Sequence, residues 1–113
     1  MKTIAALAIA LLVASEALAI GNVGSAKVIQ VRLDLDGRGM VVFDQPIGGT
    51  PAGCVHPAYT NAFAFPANAA GKAIMAWAIA AKLSGSLVTV YGRGVCDIYG
   101  GAHVEDWLYG VMQ

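Results

Sequence analysis

Charge is scarce in this chain. Asp, Glu, Lys and Arg make up 12% of its 113 residues, and seven basic side chains balance seven acidic ones. A neutral chain has no electrostatic claim on a nucleic-acid backbone or an anionic membrane, so neither is an expected partner. Cysteine is scarcer still. The sequence holds Cys54 and Cys96, two histidines (His56 and His103), and no CxxC or HxxxH spacing. A zinc-type centre needs three or four ligands at supporting intervals, and that pattern is missing. G-x-S-x-G, H-E-x-x-H and P-loop motifs are also absent. Residues 34–39 (DLDGRG) open like a calcium loop. That loop would need an oxygen ligand where Arg38 stands and a Glu where Gln45 stands, so a hairpin turn is the better reading. Gly92-Arg93-Gly94 lacks the third glycine of a dinucleotide fingerprint and opens no helix. No cofactor is expected.

One long apolar run is present, at residues 4–14. Lys2 precedes it, Ser15-Glu16 ends it, and Ala17-Leu18-Ala19 supplies a small-x-small pattern. Charged, apolar and small-residue regions in that order are the signature of a secretory signal. As a helix the run would reach roughly 16 Å, against about 30 Å of bilayer hydrocarbon. Cleavage is expected after Ala19, leaving residues 20–113 as one domain in the periplasm or outside the cell. No second apolar span follows, so no membrane insertion is expected after cleavage. Lys2 and Glu16 leave with the leader, so the mature chain stays neutral, with six charges of each sign. So sparse a charged surface in a small domain points to buried partner contacts.

In an oxidising compartment the two remaining cysteines have one intramolecular pairing, Cys54 with Cys96. Closing that interval would disfavour the unfolded chain by about 4 kcal/mol in the chain-entropy model.

The order of elements follows from local pattern. Residues 27–34 (KVIQVRLD) alternate β-branched and polar side chains, as a half-buried strand does. Asp36-Gly37 makes the turn, and residues 40–43 return as the second strand. Residues 45–59, rich in Pro and Gly, read as a long loop carrying Cys54. Residues 62–65 (AFAF) form a short strand stopped by Pro66. Asn68 is a suitable N-cap for a helix over 69–83, with Gly71 weakening its first turn and Gly85 as the stop. Residues 87–91 are a fourth strand and 104–111 a fifth, with Trp107 and Tyr109 on one face and Leu108 on the other. The fold class is therefore mainly β with one helix. The order β-β-β-α-β-β is that of an OB-fold-like five-stranded Greek-key barrel.

On the helix, Ala70, Ile74, Trp77, Ala78 and Ala81 share one face, and Met75, Ile79 and Leu83 make a second apolar stripe. The second stripe implies either deeper burial or a subunit contact. His103 with Glu105 and Asp106 could bind a metal or move protons, although a turn solvating its polar residues accounts for them more simply. Trp107, Tyr91, Tyr99 and Tyr109 offer aromatic faces suited to sugar rings, or else barrel core and rim.

Residues 70–73 (AGKA), the helix after them, residues 84–92 (SGSLVTVYG) and 94–97 (GVCD) resemble small exported bacterial proteins related to the subtilase cytotoxin B subunit. The resemblance spans roughly residues 25–111. It implies an OB-fold domain of a kind that forms rings, binds glycans and carries a separate catalytic subunit. Ser25 falls where that family has a sugar-contacting serine. The family's aspartate falls near Gly21 and its tyrosine near Gly92, so two of three contacts differ.

Together these point to an exported, non-catalytic binding module, homo-oligomeric through its helix, with a glycan or protein ligand and Ser25 and Tyr91 as ligand-binding residues. The alternatives are a small periplasmic enzyme or metal-binding protein centred on His103, Glu105 and Asp97, or a structural envelope protein. The enzyme requires those three side chains to converge in a cleft.

Overall fold

The computed structural model describes residues 20–113; the leader expected over residues 1–19 lies outside them. The chain runs through β1 (Gly21–Ala26), β2 (Val28–Leu33), β3 (Gly39–Phe43), β4 (Gly48–Gly49), a 3-10 turn (Pro57–Tyr59), β5 (Ala62–Phe65), α1 (Ala69–Ser84), β6 (Val88–Gly92) and β7 (Glu105–Met112). It is mainly β with one helix. Five strands were expected and seven are present. The two extra ones, β1 and β4, are glycine-rich and carry little β propensity of their own. Pairing makes them strands, β1 against β6 and β4 against β1.

The strands form two antiparallel sheets joined by one parallel pairing, of β5 with β7. The ladder order is β2-β3-β5-β7-β6-β1-β4. Lys27 alone separates β1 from β2, so two distant positions of the ladder are consecutive in the chain. Inside lie Val23, Val41, Phe43, Phe63, Phe65, Val88, Val90 and Trp107, capped by Ala78 and Ala81 of α1. The Phe43 and Phe63 rings meet edge to face at 5.9 Å, a favoured aromatic geometry.

A second, smaller apolar cluster sits on the opposite face of β3 and β5. Met40, Ala62, Ala64 and Val104 are buried there beneath Tyr59, Ile98 and Tyr99. Strand β5 is therefore buried on both faces, with Phe63 and Phe65 in one cluster and Ala62 and Ala64 in the other. That explains why its four residues show no polar alternation.

Helix α1 begins where Asn68 accepts a hydrogen bond from the Gly71 N–H at 2.9 Å and ends at Gly85, whose φ is 68°. Gly71 is more than a weak helix former. A Cβ there would lie 1.6 Å from the Pro66 carbonyl oxygen, so the first turn can sit this close only with glycine. With Gly71 facing the chain, Ala70 is exposed, whereas Ala78 and Ala81, expected on the same helix face, are buried. Trp77 packs edge-on against Trp107 at 5.3 Å.

Strand β7 corrects another expectation. Gly92 pairs with Trp107 but Tyr91 pairs with Tyr109, so Leu108 is an extra residue in the ladder. The bulge breaks the two-residue alternation. Trp107 turns into the core at 8% exposure, while Tyr109 faces out at 49%.

The disulfide joins Cys54 to Cys96 across Cα atoms 6.2 Å apart, clamping residues 50–55 to 93–98. It is consistent with an oxidising, exported location. Among the described residues no helix is long and apolar enough to cross a membrane.

Candidate functional site

Glu105 and Asp106 are both completely buried. As neighbours on a strand they point to opposite faces, and each carboxylate is claimed by backbone. Glu105 accepts hydrogen bonds from the N–H groups of Gly21 (2.9 Å), Ala52 (2.7 Å) and Gly94 (3.2 Å). Gly92 makes room for it, since a Cβ there would lie 1.8 Å from Glu105 Oε2. Asp106 accepts from the N–H groups of Ile98 (3.0 Å) and Asp97 (3.2 Å) and from Arg93 Nη1 (3.3 Å). Burial pushes the Asp106 carboxyl above its ordinary value, and the two N–H donors and Arg93 offset part of that rise. Buried charge is tolerated here because each carboxylate replaces its water with aimed donors.

His103 faces neither of the groups named with it. Its imidazole is sandwiched between Tyr59, at 5.1 Å and 20°, and Tyr99, at 5.4 Å and 22°. Its Nδ1 has no hydrogen-bond partner among the described residues. Asp97 is exposed and contributes its backbone N–H to Asp106. The three residues of the enzyme alternative are thus held in three different settings. Among the described residues no group of three or more His, Cys, Asp and Glu is placed to hold a metal ion.

The hairpin turn that resembled a calcium loop locks this aromatic stack. The Tyr99 hydroxyl donates to Asp34, and Arg32 Nε lies 2.7 Å from the same carboxylate. The Tyr99 bond first, and Arg32 second, hold the Asp34 carboxyl below its ordinary value. Burial, with the Asp34 bond, pushes the Tyr99 hydroxyl well above its own. Arg38 lies 4.6 Å over the Tyr99 ring and donates to the Ile98 carbonyl at 3.1 Å. Residues 95–103 are thereby fastened over the outer face of β3 and β5.

The outer face of β1, β6 and the end of β7 is different in character. Pairing sets Asn22, Tyr91 and Tyr109 in one row and Thr89 with Val111 in the next. The Tyr91 and Tyr109 rings stack at 4.8 Å and 21°. Ser25 borders them. It lies in the register shift between Val23 and Ala26, and its φ of 47° makes it the one non-glycine residue with positive φ among those described. Its N–H donates to Thr89 Oγ1 at 3.3 Å, and its hydroxyl lies 3.4 Å from Gln113 Oε1 as a donor. No charged residue occurs in β1, in β6 or in residues 109–113. Ser25 and Tyr91, the two expected ligand residues, therefore share one face, linked through Thr89.

Of the other expected stacking residues, Tyr109 joins this face. Trp107 is in the core and Tyr99 lies in the His103 stack. Asn22 and Thr89 were missed, because only the register of β1 against β6 brings them beside the tyrosines.

A further surface lies along β2 and α1. Ile29, Val31 and Leu33 face Met75, Ile79 and Leu83 across a groove of about 610 Å3. Leu83 is 81% exposed and Leu33 57%. Among the described residues β2 pairs with β3 alone, and residues 109–112 of β7 pair with β6 alone. Comparison of the chain with family models, curated proteins and solved structures gives no match.

Proposed function

We propose that the mature protein is an exported, non-catalytic binding module on an OB-fold barrel, self-associating and presenting a glycan- or protein-binding face. The observation that carries this reading is the β1–β6–β7 face, where a stacked tyrosine pair adjoins a conformationally strained serine. Strain at a non-glycine residue and a bulge beside it are features that collect at functional surfaces. The pairing order supports the barrel. Taken as one bent first strand, β1 and β2 give five long strands with the helix between the third and fourth, the order of a Greek-key OB-fold. OB-folds commonly bind oligonucleotides or oligosaccharides on the face of their second and third strands. Here that face is covered by Ile98, Tyr99 and Tyr59, which directs attention to the opposite side.

Occupation of Glu105 and Asp106 by backbone donors supports a non-catalytic role. The likeness to the subtilase cytotoxin B subunit supports both the barrel and self-association. The exposed Ile79 and Leu83 stripe and the two unpaired strand edges are what a head-to-tail assembly would use, because they are different surfaces of one chain. Light scattering on the disulfide-bonded mature protein tests the reading. The expected result is an assembly larger than a monomer that Leu83→Asp dissociates. A monomer that retains neither saccharide nor protein ligand overturns it.

A further inference from the structure

The Cys54–Cys96 bridge borders an open cleft of about 480 Å3 whose walls are largely backbone, supplied by Gly53, Gly94, Gly100 and Gly101. Positive φ accounts for glycine at 94, 100 and 101. It does not account for Gly53, which lies outside the positive-φ set and where an added Cβ would meet nothing within 4 Å. Neither backbone conformation nor packing requires a glycine beside Cys54. Its effect is to leave the approach to that cysteine free of a side chain. The two cysteines are unequally placed, Cys54 half-buried and Cys96 only 6% exposed. Both loops are also pinned without the bridge. Ala52 and Gly94 each stand two residues before a cysteine, and both donate their N–H to Glu105. Beyond the cysteines, the His56 N–H donates to the His103 carbonyl at 2.7 Å and the Asp97 N–H to Asp106 Oδ2 at 3.2 Å. Opening the S–S bond therefore leaves Cys54 and Cys96 held opposite each other, placed to close again.

We propose that Cys54–Cys96 is a thiol–disulfide exchange site, with Cys54 the sulfur attacked and an exported dithiol as its reaction partner. One partner thiolate bonds to Cys54 Sγ. The Cys54–Cys96 bond breaks, and its electron pair leaves on Cys96 Sγ, which takes up a proton. The partner's second thiolate then bonds to the partner's first sulfur and releases Cys54, which is protonated in turn. The partner ends as a disulfide and the protein as a dithiol, two electrons and two protons having passed between them. A monothiol stops at the mixed disulfide, from which the adjacent Cys96 expels it. Asp97, exposed on the cleft wall, disfavours thiols that carry further negative charge.

The test uses the disulfide-bonded mature protein, well below its unfolding transition. Dithiothreitol is added, samples are alkylated, and free thiols are counted by mass while circular dichroism is recorded alongside. The expected result is reduction at a rate unchanged by low urea, with the far-ultraviolet spectrum retained. Reduction through global unfolding would instead accelerate steeply with urea, in step with falling stability. That dependence, or loss of the spectrum on reduction, overturns the inference. At equal thiol concentration 2-mercaptoethanol should leave the bridge closed, and equal reduction by both thiols overturns the two-step exchange. Gly53→Val should slow reduction about tenfold or more by obstructing the approach to Cys54, with the melting temperature of the oxidised protein unchanged. An unchanged rate refutes the assignment of this cleft. In the single variants Cys96→Ser and Cys54→Ser, a maleimide should label Cys54 faster than Cys96, and equal labelling refutes Cys54 as the attacked sulfur. None of these readouts depends on glycan binding or on assembly, so the exchange site and the binding module stand or fall separately.

Discussion

Replacing Glu105 by Gln changes one buried oxygen to an NH2 group and leaves shape nearly constant. Oε2 serves Gly21 and Gly94, and Oε1 serves Ala52. The best orientation of the amide keeps its carbonyl toward Gly21 and Gly94. The NH2 then faces the Ala52 N–H across a gap of about 2.7 Å. One charge-assisted bond is lost, at about 1.5–3 kcal/mol, and the opposed donors are left unsatisfied at about 1–3 kcal/mol each. The two surviving bonds weaken because their acceptor is no longer charged. Relief from burying a carboxylate gives back part of this. The net loss should be about 3 kcal/mol, a large fraction of the stability usual for so small a domain. At about 4–8 °C per kcal/mol, the melting temperature should fall by at least 12 °C or so. Urea denaturation of oxidised wild type and variant, analysed at equal m-value, measures the difference. A loss below about 1 kcal/mol would mean that Glu105 is not the clamp between β1 and the two disulfide-bearing loops, and the reasoning fails.

Other perturbations separate structural roles elsewhere. Gly71→Ala should destabilise the protein even though alanine is the better helix former by about 1 kcal/mol, because the new Cβ meets the Pro66 carbonyl; thermal melting shows the sign. The double variant Cys54→Ala, Cys96→Ala should lose about 4 kcal/mol by the chain-entropy estimate for its 42-residue separation, read as a lower urea midpoint. For acid stability, the folded-state value of Asp34 is depressed, so its contribution is present above its unfolded value of 3.8 and disappears as pH falls through the folded value. The stability gap between wild type and Asp34→Asn should therefore be constant near neutrality and shrink below about pH 4 in titrated urea melts. Asp106 acts in the opposite sense. Its raised value means that acidification from that value toward 3.8 favours the folded state, so it partly masks the acid loss due to Asp34.

The helix and five of the strands were legible because each carries its own local signal. Asn68 and Gly85 mark the ends of α1, and Asp36-Gly37 marks the hairpin. Alternation marks β2, and a bounded apolar run marks β5. What escaped was set by partners distant in sequence. Strand β1 has two glycines in six residues and becomes a strand only because β6 lies beside it. Leu108 looks like any inward or outward residue until the pairing of Tyr91 with Tyr109 reveals an extra step. That one-residue slip reversed the relation of Trp107 to Tyr109, sending one to the core and the other to solvent. Gly71 looked like a defect in a helix and is a contact point. In each case the missing information was a separation between two segments, which a single pass along the chain does not contain.

The same distinction governs the sites. His103, Glu105 and Asp97 attracted notice because their side chains are the kinds that do chemistry, and they lie within nine positions of one another. Their use depends on what surrounds them. Glu105 is occupied by three backbone N–H groups, His103 by two tyrosine rings, and Asp97 donates only its backbone to Asp106. Residues with no catalytic signature, Ser25, Thr89, Tyr91 and Tyr109, are instead gathered from three strands onto one face. Buried carboxylates fix the loops behind that face from within. Glu105 holds the start of β1 through Gly21, one residue before Asn22. Loosening Glu105 should therefore disturb the ligand face through β1 before it disturbs the helix, and the order of amide exchange in Glu105→Gln, with Asn22 and Val23 ahead of Ala78 and Ala81, would show it.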